Sequence, residues 1–213
     1  MTLVGFKRAT IQILDESLKP VPAKKYVIEG KTNEGATSAF EITGLSPEAV
    51  KAYGSDIPYF IIQEGTGEVA ATFSALDLPF EVENEVLGRT KATNGVYHAG
   101  EKTKPPYCAV LFESSTLRGE KMGTGLYAGK FGRESITANT KEGTTPTPEA
   151  DQFTFAPVPK KIDDANETVG FAVGDESFAA LVTELFGETS GGVAVPVIGE
   201  ISPTTDGAVI NLS

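Results

Sequence analysis

The sequence predicts a mostly β fold: an antiparallel β-sandwich or partial barrel with one flanking short helix and a second helix near the C-terminus. Three observations predict it. Short apolar or alternating runs recur between glycine and proline stops, the pattern of antiparallel strands. Glycine (23) and proline (13) punctuate all 213 residues. Helix signals are confined to short stretches, so strands do not alternate with long helices as a doubly wound fold requires. A sandwich or partial barrel is the natural closure for such a chain.

The elements follow in order. Val4 to Leu14 alternates in part, with Ile11 and Ile13 on one face, and stops at Asp15-Glu16-Ser17. Lys24 to Glu29 is a strand closed by Gly30, and Phe40 to Thr43 one that stops at Gly44. Ser46-Pro47 opens SPEAVKAYG as a helical turn, with serine at the N-cap and proline at the first helical position. Ile57 to Glu64 and Glu68 to Leu76 flank Gly65-Thr66-Gly67 and predict a β-hairpin over 57–76. In its second strand Val69, Ala71, Phe73 and Ala75 share an apolar face, and Glu68, Ala70, Thr72 and Ser74 a small, mostly polar one.

Pro79 and Gly88 bracket a short helix, with Val82, Val86 and Leu87 as its apolar stripe and Glu81, Glu83 and Glu85 expected on its exposed side. Tyr107 to Glu113 and Gly119 to Gly132 are expected as antiparallel partners across STLR. Glu134 to Lys141 is a further strand candidate, and Gln152 to Val158 another strand. Beyond Pro159, Val169 to Val173 is a short strand. Ser177 to Phe186 is the clearest helix, with Phe178, Leu181, Val182 and Leu185 at i, i+3, i+4 and i+7 and Gly187 as C-cap. Residues 1–159 are expected as the sandwich domain. Residues 160–213 are expected as a C-terminal extension with a helix and a strand-like tail, either appended to that domain or part of it.

Composition excludes several function classes. The chain carries 18 basic and 29 acidic side chains, a net charge of −11, which argues against a surface that grips nucleic acid. The charge is uneven: residues 1–31 hold six basic and three acidic side chains, and residues 160–213 two and nine. No apolar run approaches the length of a membrane helix, about 18 residues, so no membrane insertion is expected. No signal peptide is expected either, which places folding in the cytoplasm. The single cysteine, Cys108, has apolar neighbours and is expected as a small buried hydrophobe. The single histidine, His98, lies in a polar loop, which excludes multi-histidine metal sites.

Candidate catalytic motifs fail on inspection. Gly123-Thr124-Gly125-Leu126-Tyr127-Ala128-Gly129-Lys130 invites a nucleotide-loop reading. A phosphate loop needs glycine at 124 and Ser or Thr at 131, where Thr124 and Phe131 stand; the dinucleotide pattern needs glycine at 128, which is Ala128. Glycines inside a strand more often mark a bend or a close backbone approach. Paired carboxylates such as Asp163-Asp164 lack calcium-loop spacing, and a chain without tryptophan is a poor sugar binder. No enzyme activity, cofactor or metal is expected.

Four segments, taken in order, carry a resemblance: GFKRATIQILDE, ITGLSPEAVKAYGSDIPYF, LDLPFEVENEVLG and KTKPPYCAVLFESSTLRGEKMGTGLYAGKFG. Together they resemble the major tail (tail tube) proteins of long non-contractile-tailed phages of Gram-positive bacteria. The resemblance covers roughly residues 3–158, and residues 160–213 match less well.

That resemblance implies a structural virion protein, assembled in the host cytoplasm, whose copies form hexameric rings that stack into a tail tube. Strands from each subunit join into a barrel around the lumen through which DNA is ejected, passing without specific binding. The tape measure protein and the tail terminator and distal tail proteins are the implied partners. The hairpin 57–76 and the pair 105–132 are the candidate barrel strands. Glu68, Ala70, Thr72 and Ser74 are candidate lumen-facing residues in an acidic-lined bore. The loops 30–39 and 141–151 and the termini are candidate ring contacts, represented by Lys7, Arg8, Asn33, Glu34, Thr144 and Thr145. The competing reading is a monomeric, adhesin-like β-sandwich binding module.

Overall fold

The computed structural model of the chain describes residues 2–32, 34–138, 140 and 149–187. Its first strands are β1 (Leu3–Leu14), β2 (Pro20–Ile28), β3 (Ala36–Thr43), β4 (Val50–Gly54), β5 (Ile57–Ile62) and β6 (Ala70–Asp77). The helix α1 (Phe80–Val86) precedes β7 (Thr90–Lys91), β8 (Tyr97–His98), β9 (Tyr107–Thr116) and β10 (Lys121–Gly132). Then come β11 (Asp151–Pro157), β12 (Lys160–Ile162), β13 (Ala165–Glu167), β14 (Val169–Val173) and the helix α2 (Asp175–Phe186).

The main sheet runs β2-β1-β9-β10-β11-β6-β3, with β14 also paired to β10. Every pairing is antiparallel. The long strand β10 divides one edge between two partners. Met122 to Leu126 pair with β14, and Gly129 to Gly132 pair with β11. At the division Tyr127 N–H donates to Thr168 O at 3.2 Å and Val158 N–H to Ala128 O at 2.9 Å, so backbone groups there keep partners. The β9–β10 register shifts over the same residues.

Past this point β11, β6 and β3 curl back over β1 and β9. Alternation then puts one apolar face of each layer inside. Phe73, Phe112, Phe153, Phe155, Ile11 and Leu126 are fully buried there. Phe40 stacks on Phe112 at 4.5 Å between centroids, and Phe6 meets Phe40 edge-on at 4.9 Å. Burying each such side chain contributes about 1.5–3 kcal/mol. Thr37 Oγ1 donates to Phe6 O at 3.1 Å, but β3 and β1 share no ladder, so the curl stops short of a barrel. Cys108 lies in this core, as its neighbours predict.

A second core lies on the outer face of β9, β10 and β14, where α2 docks. Phe178, Leu181, Val182, Leu185 and Phe186 pack against Ala109, Leu111, Tyr127, Ala128 and Ala172. The glycine-rich stretch acts here. A Cβ at Gly125 would stand 2.7 Å from Leu185 Cδ1, and one at Gly170 2.7 Å from Leu181 Cδ1. Those glycines are the groove that admits the helix. Tyr127 Oη donates to Glu184 Oε2 at 2.6 Å across the contact, and Gly187 caps α2 with φ 68°.

Four expectations need correction. Residues 57–76 are not one hairpin: β5 pairs with β4, while β6 has β3 and β11 on its two edges. The core-facing Ala71, Phe73 and Ala75 draw β6 into the main sheet, and a local turn cannot compete with that burial. Residues 50–54 are strand rather than helical turn, because they pair with β5 across Ser55-Asp56, both at positive φ (53° and 65°), the two-residue turn that suits strand twist. Residues 134–138 and 140 carry no strand, and the rest of that expected strand lies outside the described residues.

The fourth concerns α1. Residues two apart on a helix of about 3.6 residues per turn lie on nearly opposite sides, so Glu83 cannot share a face with Glu81 and Glu85. Glu83 is buried between Arg89 Nη1 at 3.1 Å and Arg133 Nη1 at 3.0 Å. Arg133, its side chain only 7% exposed, also pairs with Asp151. Glu85 takes Lys24 and the Tyr26 hydroxyl. Removing one partner of a buried charge cluster costs about 3–5 kcal/mol, so this clamp ties α1 to the β10–β11 connection.

Gly125→Val should lower the unfolding free energy by about 1–3 kcal/mol through overpacking at the α2 contact, as read from urea unfolding. The same substitution at exposed Gly100, where a Cβ meets nothing within 4 Å, should leave it nearly unchanged.

Candidate functional site

The most exposed apolar feature is the β4–β5 hairpin. Its root is fixed by backbone contact. Gly44, at φ 72°, lies so close to Glu68 that a Cβ would stand 1.9 Å from the Glu68 carbonyl oxygen, and one at Gly67 would stand 2.9 Å from Ser46 O. Gln63 Nε2 donates to Pro47 O at 3.0 Å. Above this root all of β5 is exposed. Val50, Tyr53, Ile57, Tyr59, Phe60, Ile61 and Ile62 are exposed, Tyr59 to 81%. Cross-strand partners share a face, so Val50, Ala52, Phe60 and Ile62 form one side of the ribbon. An isolated two-stranded hairpin is marginally stable in water, and exposed apolar patches of this kind mark interaction sites. Sequence reasoning missed this feature because IPYFII reads equally well as a buried strand.

A second apolar surface opens where the two layers part. A groove of about 460 Å³ is lined by Leu3, Phe40, Ile42, Leu45, Met122, Thr124, Phe171 and Val173. It lies between β3 and β14, whose outer edges pair with no other strand among the described residues. Phe171 pairs with Thr124 and Val173 with Met122, so all four face the same side. Phe171, Leu45 and Leu3 are substantially exposed.

The third surface is polar. The outer face of β3, β6 and β11 carries Glu41 and Thr43, then Ala70, Thr72 and Ser74, then Gln152 and Thr154 as cross-strand neighbours. Thr72 and Ser74 are half-buried and Ala70 is exposed; Glu68 is exposed just before β6. Ala71, Phe73 and Ala75 point into the core, and Val69 is half-buried. The expected set of barrel strands does not form one surface. β9 and β10 pair as predicted, yet the inner core covers one face and α2 the other. The open polar face is built instead by β3, β6 and β11.

The expected contact residues are scattered. Lys7 is exposed. Arg8 is engaged within the chain, with Nη2 2.5 Å from Glu113 Oε2 and Nη1 3.5 Å from Glu29 Oε2. Glu34 lies 3.9 Å from Lys31, which also pairs with Glu29. That lysine, hydrogen-bonded to Glu29, holds its carboxyl below the ordinary range. Part of the basic N-terminal charge is thus met by the chain's own acids. Asn33, Thr144 and Thr145 lie outside the described residues, as does the tail from residue 188.

Chemically reactive groups are sparse. Burial pushes the Cys108 thiol up to about 12, which keeps it protonated and inert at neutral pH. His98 is exposed, opposite Thr90 in the two-residue β7–β8 ladder. Among the described residues no group of three or more His, Cys, Asp or Glu is placed to hold a metal ion, and no helix is long and apolar enough to cross a membrane.

Comparison with known proteins returns a family model described as phage tail tube protein, which matches residues 1–196. No curated protein matches the chain.

Hydrogen exchange on the dilute chain should find the β4–β5 amides exchanging far faster than those of β9 and β10, because the hairpin has no apolar cover among the described residues. Equal protection in both would contradict its isolation.

Proposed function

We propose that this chain, which belongs to the phage tail tube protein family, forms hexameric rings that stack into the tail tube and conduct DNA during ejection. The family makes it a structural component of the virion tail that assembles with itself. Rings, bore and lining are our reading. The observation that carries it is the β4–β5 hairpin, an apolar ribbon left uncovered by the described residues of its own chain. Such a ribbon reaches stable burial only against another molecule. A contact between a protruding element and a different surface of the next copy is heterologous, and heterologous contacts close into rings or propagate as filaments.

The polar face of β3, β6 and β11 suits the bore. Glu68, Ala70, Thr72 and Ser74 would line it, with Glu41 beside Thr72. Short side chains leave a smooth wall. The carboxylates repel phosphate, so a duplex passes without being held. A net charge of −11 supports the same reading. The tape measure protein, which would occupy the bore before DNA does, and the tail terminator and distal tail proteins at the tube ends are the partners this role requires. Assembly in the host cytoplasm and a purely scaffolding role, with no catalytic group, follow from the same reading. A monomeric adhesin-like module accounts for the sandwich but gives no reason for a heterologous pair of apolar surfaces.

Purified protein should form stacked rings or tubes under negative-stain microscopy. The double substitution Phe60→Asp, Ile62→Asp should hold it monomeric. Its unfolding free energy should change by no more than about 0.5 kcal/mol, as for exposed sites generally. A single monomeric species at high concentration and every salt, for the unsubstituted chain, would overturn the proposal.

A further inference from the structure

The short β7–β8 hairpin turns through Asn94-Gly95, the one Asn-Gly pair in the sequence. We propose that this turn is a site of spontaneous covalent modification, at which Asn94 loses its side-chain amide and becomes aspartate or isoaspartate. The inference is independent of the tube reading.

The step needs only water and its hydroxide. The Gly95 nitrogen gives its proton to hydroxide and attacks Asn94 Cγ. The N–Cγ bond forms, the Cγ–Nδ2 bond breaks, and the leaving nitrogen takes a proton from water and departs as ammonia. Water then opens the five-membered imide. Addition at Cγ leaves aspartate in an ordinary main chain. Addition at the main-chain carbonyl carbon leaves isoaspartate, with the chain running through the former side chain. Nothing is oxidised or reduced.

The turn is built for this step. Val96 N–H donates to Asn94 Oδ1 at 3.1 Å. That bond folds the side-chain amide back over the 94–95 peptide. It also aims a donor at the oxygen that gathers charge when Cγ is attacked. Gly95 stands at φ 85°, a conformation that favours glycine, so the turn itself demands the residue that leaves the attacking nitrogen uncrowded. Asn94 and Gly95 are both exposed to water.

One bond acts as a brake. Gly95 N–H donates to Ala92 O at 3.0 Å, so the nitrogen reacts when that bond opens. Beyond the Ala92 N–H bond to Val96 O, only the pairs Lys91↔Tyr97 and Thr90↔His98 hold the turn closed. A two-stranded hairpin is marginally stable in water, and such elements open locally at little cost.

The other asparagines are poorer sites. Asn84 is fully buried, with Nδ2 on Phe80 O and Oδ1 on Arg89. Asn166 precedes Glu167, whose side chain crowds the attack. Asn33, Asn139 and Asn211 lie outside the described residues, and each also precedes a residue with a side chain.

The two products differ in consequence. Aspartate at 94 keeps an oxygen for Val96 N–H and adds one negative charge. Isoaspartate adds a methylene to the main chain inside the turn, so the Ala92–Val96 bonds no longer close in register. Tyr97 then leaves Phe80, which it meets edge-on at 5.4 Å, and Lys91, whose Nζ lies 5.3 Å from its ring centroid. Lys91 also pairs with Glu81 at 3.1 Å, so the change reaches α1.

The test incubates the folded full chain in mildly alkaline buffer, beside the same chain unfolded in urea. Peptide mass mapping reads the exchange of NH2 for OH, and an isoaspartyl methyltransferase labels isoaspartate. Asn94 should be lost from the folded chain while Asn84 and Asn166 persist, with isoaspartate labelled at position 94. Gly95→Ala, which crowds the attacking nitrogen, should keep Asn94 intact even though its φ strains the turn. A folded chain that retains Asn94 over the interval in which the unfolded chain loses it would overturn the proposal. Equal loss at Asn84, Asn94 and Asn166, or loss in Gly95→Ala as fast as in the unsubstituted chain, would overturn it as well. Hydrogen exchange on the isolated isoaspartate form should show faster exchange in β7–β8 and at the start of α1; unchanged protection there would remove the reach to α1.

Discussion

Between Leu126 and Gly129 one edge of β10 changes partner, and most of the architecture depends on that change. Upstream, the edge belongs to β14; downstream, it belongs to β11. A strand with a single partner along its whole edge would extend a flat sheet. Here the two partners diverge, so β11 leads β6 and β3 over the inner face while β14 continues in plane and leads into α2. The inner phenylalanine core and the outer helix-bearing core therefore share β9 and β10 as a common wall. The backbone bonds at Tyr127 and Val158 keep the change from leaving buried polar groups unmet.

The same divergence creates the surfaces on which function rests. It opens the groove between β3 and β14, because the two layers that part at β10 are not sealed at their far edges. It frees the outer face of β3, β6 and β11, which no helix covers among the described residues. Between β3 and β6 the chain rises into a hairpin that touches neither core. Protruding ribbon, open groove and bare polar face are what an assembling subunit carries, and a self-contained sandwich would bury or blunt such edges.

Much of this was legible in the sequence. Apolar or partly alternating runs between turn residues located β1, β3, β6, β9, β10, β11 and β14, and the spacing of Phe178, Leu181, Val182 and Leu185 located α2. What escaped depends on partners distant in sequence. Residues 50–54 look helical locally, but pairing with Ile57–Ile62 overrides that preference. The glycines at 65 and 67 look like a hairpin turn, yet Gly67 permits a close approach to Ser46. Glu83 looks solvated until Arg89 and Arg133 are brought to it. The polar face of Thr72 and Ser74 was visible, but its neighbours were not, because strand order is set by burial and not by chain order. The family signal came from ordered segments along the chain.

The most direct measurement is a helical reconstruction of the assembled tube by cryo-electron microscopy. The account predicts that residues 50–62 are covered by a neighbouring copy and that the β3, β6 and β11 face points into the bore. A tube in which the hairpin stands free in solvent on the outer wall, with that polar face buried between subunits, would contradict it.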